Sequence, residues 1–448
     1  MSSWIEHFRE FYPIMKAGEL KEYLEGIPVT ELSDNWRFLT DDEADIIFKN
    51  LSPEKKRDLI VELPDSEQER IIHSLSAQNK KELFKEMEPD DLVDIVQTVS
   101  HEVRNAVWES LSERAKKETL FLLRFEEDDA AGLMTPRYLA IRASINVKQA
   151  IQFIRKSCEE VEFLYNIYVL DNLQRLIGIV SIKDILAAAD EVKISEIMDK
   201  KFTAVRETTD QEEVAKILEA NDLISVPVVD QNNLLLGDIT FDDVIDVIRE
   251  EQTEDMYKMG AIAGAADNYT DISIWGMVKK RVPWLIMLLL VGTITTNVLK
   301  HYEHIIMGAA FLFIFMPVIT ETGGNTGSQA STLIIRGLAT GDIYFKEIWS
   351  IMFKELLIGL IMGVLTGCVL IARSMLLPPG ICLNEAIAVG ASLVFVVVLS
   401  NLIGTLAPMI IHKLGFDPAV MSGPLMATVI DVAGLSIYFE TASFFLGI

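Results

Sequence analysis

Asp431 lies in Leu425-Met426-Ala427-Thr428-Val429-Ile430-Asp431-Val432-Ala433-Gly434-Leu435, and no other carboxylate interrupts the apolar run from Pro418 to Phe439. A lone carboxylate at membrane depth costs about 3 kcal/mol even on lenient insertion scales. The run holds no Lys or Arg to neutralise it. Such a group normally faces a watery path or a cation, so the first chemistry the chain suggests is ion conduction. A second polar segment interrupts another apolar run: Pro317-Val318-Ile319-Thr320-Glu321-Thr322-Gly323-Gly324-Asn325-Thr326-Gly327-Ser328-Gln329. At depth these residues are tolerated only when buried in protein or lining a water-filled cavity. The glycines have a second use, letting helices approach closely. Glu321 is then a second carboxylate at depth, or one near the inner end. Asp417 ahead of Pro418 reads as a helix N-cap with proline at the first helical position, which explains it without an ion.

A third set of carboxylates, Asp242, Asp243, Asp246, Glu250, Glu251, Glu254 and Asp255, falls in a stretch with helical spacing from Asp242 to about Asn268. Asp242/Asp246, Asp246/Glu250, Glu250/Glu254 and Glu251/Asp255 are i, i+4 pairs, and like charges at that spacing weaken a helix. The face is either solvated or neutralised by cations. Other chemistries find less support. The three cysteines, Cys158, Cys368 and Cys382, are an odd number, and none belongs to a metal-ligand Cys/His spacing; a disulfide framework and a soft-metal site are both disfavoured. An intramembrane aspartyl enzyme needs two deep aspartates, and only Asp431 lies deep.

The elements that must position these groups differ sharply along the 448 residues. Nine acidic and six basic residues follow Arg281, so 57 of the 66 acidic and 34 of the 40 basic residues precede Val282. Nearly all of the net charge of -26 therefore belongs to the first part. That balance argues against nucleic acid, which is bound through Lys and Arg, and against docking on anionic lipid. No apolar signal-peptide core is present in Met1 to Tyr23, so this part is expected in the cytosol. Leu39, Leu51, Leu63, Leu75, Met87, Val99, Leu111 and Leu123 recur every twelve residues. Helix-start residues follow most of these anchors, and a second apolar position (Ile47, Leu59, Ile71, Leu83, Ile95, Val107) comes eight residues after. The pattern predicts a solenoid of short helices over residues 1–130.

Two βαβ-like units follow over residues 131–248, the first opening at Leu133-Met134-Thr135-Pro136 and the second at Ile197-Met198-Asp199. Each closes on Gly-x-x-(Ser/Thr)-x-x-Asp, at Gly178 to Asp184 and Gly237 to Asp243. This duplicated pattern resembles tandem CBS domains, which implies a regulatory module that binds an adenine nucleotide or a metal. A connecting helix is expected over 249–280 and a membrane domain over 281–448. Five apolar runs there are long enough for a hydrocarbon core of ~30 Å: about Val282–Leu299, Ile305–Ile319 continuing toward Ile335, Ile351–Leu377, Ala386–Ile411 and Ala419–Phe445. Lys279, Lys280, Arg281, Arg336, Lys346, Lys354 and Lys413 cluster on one side, with Lys300 and Arg373 on the other. The positive-inside rule then predicts a multi-pass protein of the cell membrane, amino terminus cytoplasmic and carboxyl terminus outside.

Gly-Gly-Asn-x-Gly-x-Gln at 323–329, Arg336-Gly337-Leu338-Ala339-Thr340-Gly341-Asp342, Asp417-Pro418-Ala419 leading to Ser422-Gly423-Pro424, and Asp431-Val432-x-Gly434 through Tyr438-Phe439 together resemble the MgtE family of magnesium transporters. The order of solenoid, CBS pair, acidic helix and spans matches as well. The resemblance implies no enzyme but a homodimeric Mg²⁺ channel in membrane lipid, with a pore on the two-fold axis lined by the second and fifth spans. It implies Asp431 as the central selectivity carboxylate near the Ala427 backbone, with Gly324, Asn325 and Glu321 in the pore. It also implies that cytosolic Mg²⁺ bridges the acidic domains and shuts the pore. The sensor residues carried over are Asp90 and Asp94 in the solenoid, and Asp210, Glu212 and Asp222 in the second CBS unit. Those of the connecting helix are Asp243, Asp246, Glu251, Glu254 and Asp255. Thr98 stands where a further solenoid carboxylate is expected, and Asn166 and Leu223 where adenine-stacking aromatics are. ATP at the CBS pair then rests on Asp184. A broader divalent transporter, for Mn²⁺ or Co²⁺, is the alternative reading.

Overall fold

The computed structural model describes residues 3–12, 14–158, 161, 164–264, 272–378, 380–421 and 423–447. The chain divides into two compact units, Met1–Arg249 and Glu250–Ile448. Ser422 of the sequence motif and residues 265–271 of the expected connecting helix lie outside the described residues.

The first unit opens with the solenoid: α1 (Ser3–Phe11), α2 (Ala17–Glu25), α3 (Val29–Asn35), α4 (Asp41–Asn50), α5 (Pro53–Glu62), α6 (Asp65–Ser74), α7 (Ala77–Leu83), α8 (Pro89–Thr98), α9 (His101–Ser110) and α10 (Glu113–Leu122). Its period has a physical basis. Leu51, Leu63, Leu75, Val99 and Leu111 are helix C-caps with extended backbone, so each one ends a helix and turns the chain. The next helix starts within two residues on a new cap. Thr40 and Glu43 form a reciprocal capping box, and Ser52, Ser76 and Ser112 each accept a backbone N–H. The second apolar positions, Ile47 through Val107, are all buried. Lys55, which gives no sequence signal, is buried; its ammonium donates to the carbonyls of Leu24 (3.0 Å), Glu25 (2.9 Å) and Ile27, closing the carboxyl end of α2.

The repeated units contain α11 (Ala130–Leu133), β1 (Ala140–Arg142), α12 (Val147–Ser157), β2 (Asn166–Leu170), β3 (Leu176–Ser181) and α13 (Ile182–Ala187). The second copy has α14 (Ile194–Ile197), β4 (Val205–Arg206), α15 (Gln211–Ala220), β5 (Ser225–Val229), β6 (Leu235–Thr240) and α16 (Phe241–Met259). In each sheet the first strand runs parallel to the second and the third antiparallel, in the orders β1-β2-β3 and β4-β5-β6. The two openings are exchanged. Thr135 of the first unit pairs with Asp238 on β6 (2.9 and 3.0 Å), and Asp199 of the second pairs with Ile179 on β3 (3.0 and 2.8 Å). This exchange explains the repeated glycine. A Cβ on Gly237 would stand 2.7 Å from Met134, and one on Gly178 would stand 2.9 Å from Met198.

The second unit contains α17 (Ile274–His301), α18 (Glu303–Gly308), α19 (Phe311–Ala339), α20 (Ile348–Leu376), α21 (Leu383–Lys413) and α22 (Gly423–Leu446). Among the described residues, four helices are long and apolar enough to cross a membrane by length and composition: α17, α20 with its preceding turn, α21 and α22. The fifth expected run, α19, is 29 residues long, but its polar residues keep its hydropathy low. That run is expected to begin at Ile305, but Glu303–Gly308 forms the separate α18 and α19 starts only at Phe311. The last helix begins at Gly423 rather than near Ala419, because Pro418–Met421 forms a separate 3₁₀ turn. α16 ends at Met259, short of Asn268.

α21 is the centre of this unit and packs against α19, α20 and α22. Small residues set the approach. Gly359, Gly363 and Gly367, one turn apart on α20, are buried against Asn401, Val394 and Gly390. A Cβ on Gly404 of α21 would stand 2.4 Å from the Gly327 carbonyl oxygen, which is backbone and cannot swing aside. Without a hydrophobic drive between helices in lipid, such close contact carries much of the association. Gly404→Ala is therefore expected to cost about 1–3 kcal/mol through overpacking, seen as a lower thermal midpoint of the detergent-solubilised protein. Gly292→Ala, where a Cβ meets nothing within 4 Å, should leave that midpoint unchanged or raise it.

Candidate functional site

Two faces carry the polar groups of the second unit. On α19, Glu321, Asn325, Gln329, Thr332 and Arg336 recur at helical spacing on one exposed stripe, while Gly323, Gly324, Thr326 and Gly327 point inward. The threonines satisfy themselves: Thr322 donates to Val318 O at 2.7 Å, Thr326 to Thr322 O at 2.8 Å and Thr332 to Ser328 O at 2.9 Å. Glu321, Asn325, Gln329 and Asp431 make no side-chain hydrogen bond or ion pair among the described residues. Gly324 brings the two helices together, since its Cβ would lie 3.6 Å from Ala427 Cβ. Gly323 and Gly327 seat the Ile430 side chain, and Gly323 also faces the buried Ser400 hydroxyl. Asp431, half-buried, follows one turn after Ala427. Of the five residues assigned to a pore, Gly324 and Ala427 form a helix contact, while Glu321, Asn325 and Asp431 present oxygens. The donors on these faces are carboxylate and amide oxygens, the hard set that suits hydrated Mg²⁺.

Asp417 does more than the sequence suggests. Its Oδ1 accepts from Ala419 N at 2.8 Å, which caps the 3₁₀ turn rather than the long helix, and its Oδ2 meets Lys258 Nζ at 2.7 Å. A second polar contact, missed in the sequence, joins α20 to α21. Asn401 Nδ2 donates to Glu355 Oε2 at 2.7 Å and to Glu355 O at 2.8 Å. The signals that could have found these packing points are the Gly-x-x-x-Gly-x-x-x-Gly spacing at 359–367 and a lone Asn in an apolar run.

The cytosolic carboxylates divide by environment. Asp90, at the start of α8, is half-buried, but its Oδ1 is buried and has no partner among the described residues. Burial, with Asp91, Asp243 and Glu88 near it, pushes its carboxyl well above the usual range. Asp243 accepts from the Thr240 hydroxyl at 2.8 Å; burial and the neighbouring Asp242 and Asp246 raise it to about 6. These two sit close enough to repel, and an orphaned buried oxygen beside a second carboxylate fits a bound cation. The other sensor positions have local occupations. Asp210 caps α15 by accepting from Glu212 N at 2.8 Å, and Glu212 pairs with Lys216 at 2.8 Å. Asp222 sits at φ 50° in the turn after α15. Asp246 pairs with Arg249 at 3.2 Å, and Glu254 with Lys258 at 2.9 Å. Asp94 is exposed on α8, and Glu251 and Asp255 lie on α16. Among the described residues, no three acidic, His or Cys side chains come together as a metal cage.

In the CBS pair, Asp184 accepts from the Ser181 hydroxyl at 2.6 Å on the first turn of α13, and Asn166 donates to Ser225 at 3.1 Å. Asn166 thus tethers one repeat to the other rather than offering a stacking surface. Between the repeats lies Asp238, which accepts from the Tyr168 hydroxyl and is faced by Ser225 from β5 and Asp243 from α16. Burial raises Asp238 to about 7, against the hydrogen bonds from Tyr168 and Ser225.

The family model described as divalent cation transporter matches residues 316–441, the MgtE intracellular N domain model residues 27–128, and CBS domain models 130–191 and 194–250. The chain is 39% identical over 342 residues to the magnesium transporter MgtE of Thermus thermophilus, covering 75% of this chain and 74% of that protein. It is 33% identical over 328 residues to the magnesium transporter MgtE of Enterococcus faecalis, covering 72% and 71%. Among solved structures, the cytosolic domain of the Mg²⁺ channel MgtE in complex with ATP aligns at 33% identity with a TM-score of 0.52, covering 54% of this chain and 98% of that one. The soluble part of a magnesium transporter aligns at 24% identity with a TM-score of 0.50, covering 55% and 96%, a likeness of fold.

The Asp238 position predicts a pH dependence. A carboxyl whose folded value lies near 7, against an ordinary value of 3.8, holds its proton in the folded state while the unfolded chain releases it. Its contribution therefore falls as pH rises from about 4 to about 7 and is level above. With residues 1–249 in EDTA, the stability of wild type relative to Asp238→Asn should drop by about 2–4 kcal/mol across that window. Denaturant titrations at several pH values measure it.

Proposed function

The chain belongs to the MgtE family of divalent cation transporters, which are membrane proteins and not enzymes; from that premise we propose that it is a homodimeric Mg²⁺ channel closed by cytosolic Mg²⁺. The observation that carries the reading is the unpartnered polar stripe on α19 beside Asp431 on α22. Lipid cannot solvate a carboxylate and two amides, so this face needs water and a second protein surface. A second copy across a two-fold axis supplies both, with α19 and α22 of each subunit enclosing the path. All five long helices then cross the membrane, with the amino terminus inside and the carboxyl terminus outside.

Mg²⁺ takes six oxygens in an octahedral array and sheds water reluctantly. Two Asp431 carboxylates across the axis hold the ion through its water shell, with backbone oxygen near Ala427 completing the ring. Facing carboxylates repel when no cation lies between them, which makes the site greedy for divalent charge. Asn325 and Glu321 extend the hydrophilic lining along α19, and the closely packed glycines behind them fix its position.

Closure uses the cytosolic carboxylates. Asp90 and Asp243 are the strongest pair, because burial and neighbouring carboxylates raise both and Asp90 Oδ1 has no partner among the described residues; Asp94, Asp210, Glu212, Asp222, Asp246, Glu251, Glu254 and Asp255 complete the acidic set. Ion binding favours the closed arrangement only as far as the closed state binds Mg²⁺ more tightly. ATP at the CBS pair belongs to the same reading, with Asp184 as its contact residue.

Asp431→Ala is expected to abolish Mg²⁺ flux while the protein still reaches the membrane. Rescue of a Mg²⁺-auxotrophic bacterium, with and without Asp431, checks this, and wild-type rescue by the variant would overturn the pore assignment. Equal currents for Mn²⁺, Co²⁺ and Mg²⁺ would favour the broader divalent transporter. Neutralising Asp243, Asp246, Glu251 and Asp255 together should leave conduction intact and remove shut-off at high internal Mg²⁺. Patch recordings that still show shut-off would exclude this sensor.

A further inference from the structure

We propose that Lys258 is a tethered cation that latches the end of α16 to the foot of α22, holding this joint closed without a divalent ion; its consequence for gating rests on the channel reading above. Lys258 Nζ lies 2.7 Å from Asp417 Oδ2 and 2.9 Å from Glu254 Oε2. The three side chains are 29%, 34% and 40% exposed, so solvent screens the charges only in part. Asp417 is fixed before the lysine reaches it, because its other oxygen accepts from Ala419 N. One carboxylate oxygen thus belongs to the turn entering α22, and the other to α16.

A backbone contact stands beside the ion pair. Gly423, the first residue of α22, has φ 52°, and a Cβ there would lie 2.5 Å from the Met259 carbonyl oxygen. Met259 is the last residue of α16. The end of one helix therefore abuts the start of the other, and a side chain at 423 would force them apart. Asp431 lies about two turns along the helix that begins there.

Two carboxylates from different segments converge on one point, which calls for positive charge. A divalent ion is one way to supply it; here an ammonium already does. Lys258 also sits in the last turn of α16, where a cation is favoured by the helix dipole. Burial works against its charge, but the hydrogen bonds to Asp417 and Glu254 prevail and hold it above the usual lysine range. Glu254 is accordingly held by Lys258 at this joint, beside its place in the acidic set of the proposed sensor.

The test is hydrogen–deuterium exchange on the full-length protein in detergent with EDTA, so that no divalent ion holds the joint. In Lys258→Gln, amides of residues 254–263 should exchange about fivefold faster than in wild type, as expected for losing partly exposed ion pairs. Lys258→Arg, which keeps the charge, should stay near the wild-type rate. Wild-type exchange in Lys258→Gln, or equal acceleration in both variants, would overturn the latch. In proteoliposomes, Lys258→Gln should also need several-fold more internal Mg²⁺ for half-closure, with flux at low internal Mg²⁺ unchanged. Faster exchange in Lys258→Gln from a protein that carries no Mg²⁺ would support the latch while rejecting the channel reading.

Discussion

A carboxylate and two amides cannot face hydrocarbon, and most of the membrane unit can be understood from that constraint. Glu321, Asn325 and Gln329 leave one side of α19, Asp431 lies on α22, and none of them finds a partner among the described residues of its own chain. The threonines of α19 bond their own preceding turn, and the glycines are turned inward. A single chain in lipid would be penalised by several kcal/mol for such a face. The proposed dimer converts the penalty into a filter, since carboxylates that lack a partner attract a cation.

The constraint needs a stiff backing, and the small residues provide it. Gly327 and Gly404 bring α19 and α21 into backbone contact, and Gly359, Gly363 and Gly367 do the same for α20 on α21. Ile430 fills the space over Gly323 and Gly327 one residue before Asp431. The Asp431 position is thereby tied to helix packing, because a shift of α22 would first have to move Ile430 out of its seat.

The cytosolic unit is governed by a related balance of buried charge. Asp90, Asp243 and Asp238 all lie where burial favours the protonated acid, yet only Asp238 is well supplied with hydrogen-bond donors. Asp238 reads as a structural acid that ties the two exchanged repeats, whereas Asp90 and Asp243 remain short of compensation. That difference separates a carboxyl tied into a hydrogen-bond network from carboxyls whose charge is less compensated. The pairing of Lys258 with Glu254 and Asp417 is the opposite case, a site already neutralised from within.

Periodicity made much of this legible. The twelve-residue spacing from Leu39 marked real helix ends, because a buried anchor with extended backbone must recur wherever a short helix turns. The duplicated Gly-x-x-(Ser/Thr)-x-x-Asp marked two sheets, and the apolar runs marked the long helices, because both signals depend on local spacing alone. Asp431 and Glu321 stood out because charge is rare in such runs. The exchange of Met134 and Met198 between repeats was not legible, nor was the buried Lys55 or the Glu355–Asn401 contact, since each joins residues tens of positions apart. The reach of α16 was overestimated, since the helix stops at Met259, soon after the last carboxylate of its acidic pattern, Asp255. The sequence by itself determined the order of the helices, the strands and the apolar runs, and that a lone carboxylate lies among apolar residues, because these follow from neighbours along the chain. Only the tertiary structure decided which of the carboxylates are capped, paired or left without a partner, because a charge acquires its partner from whatever the fold brings within a few ångströms.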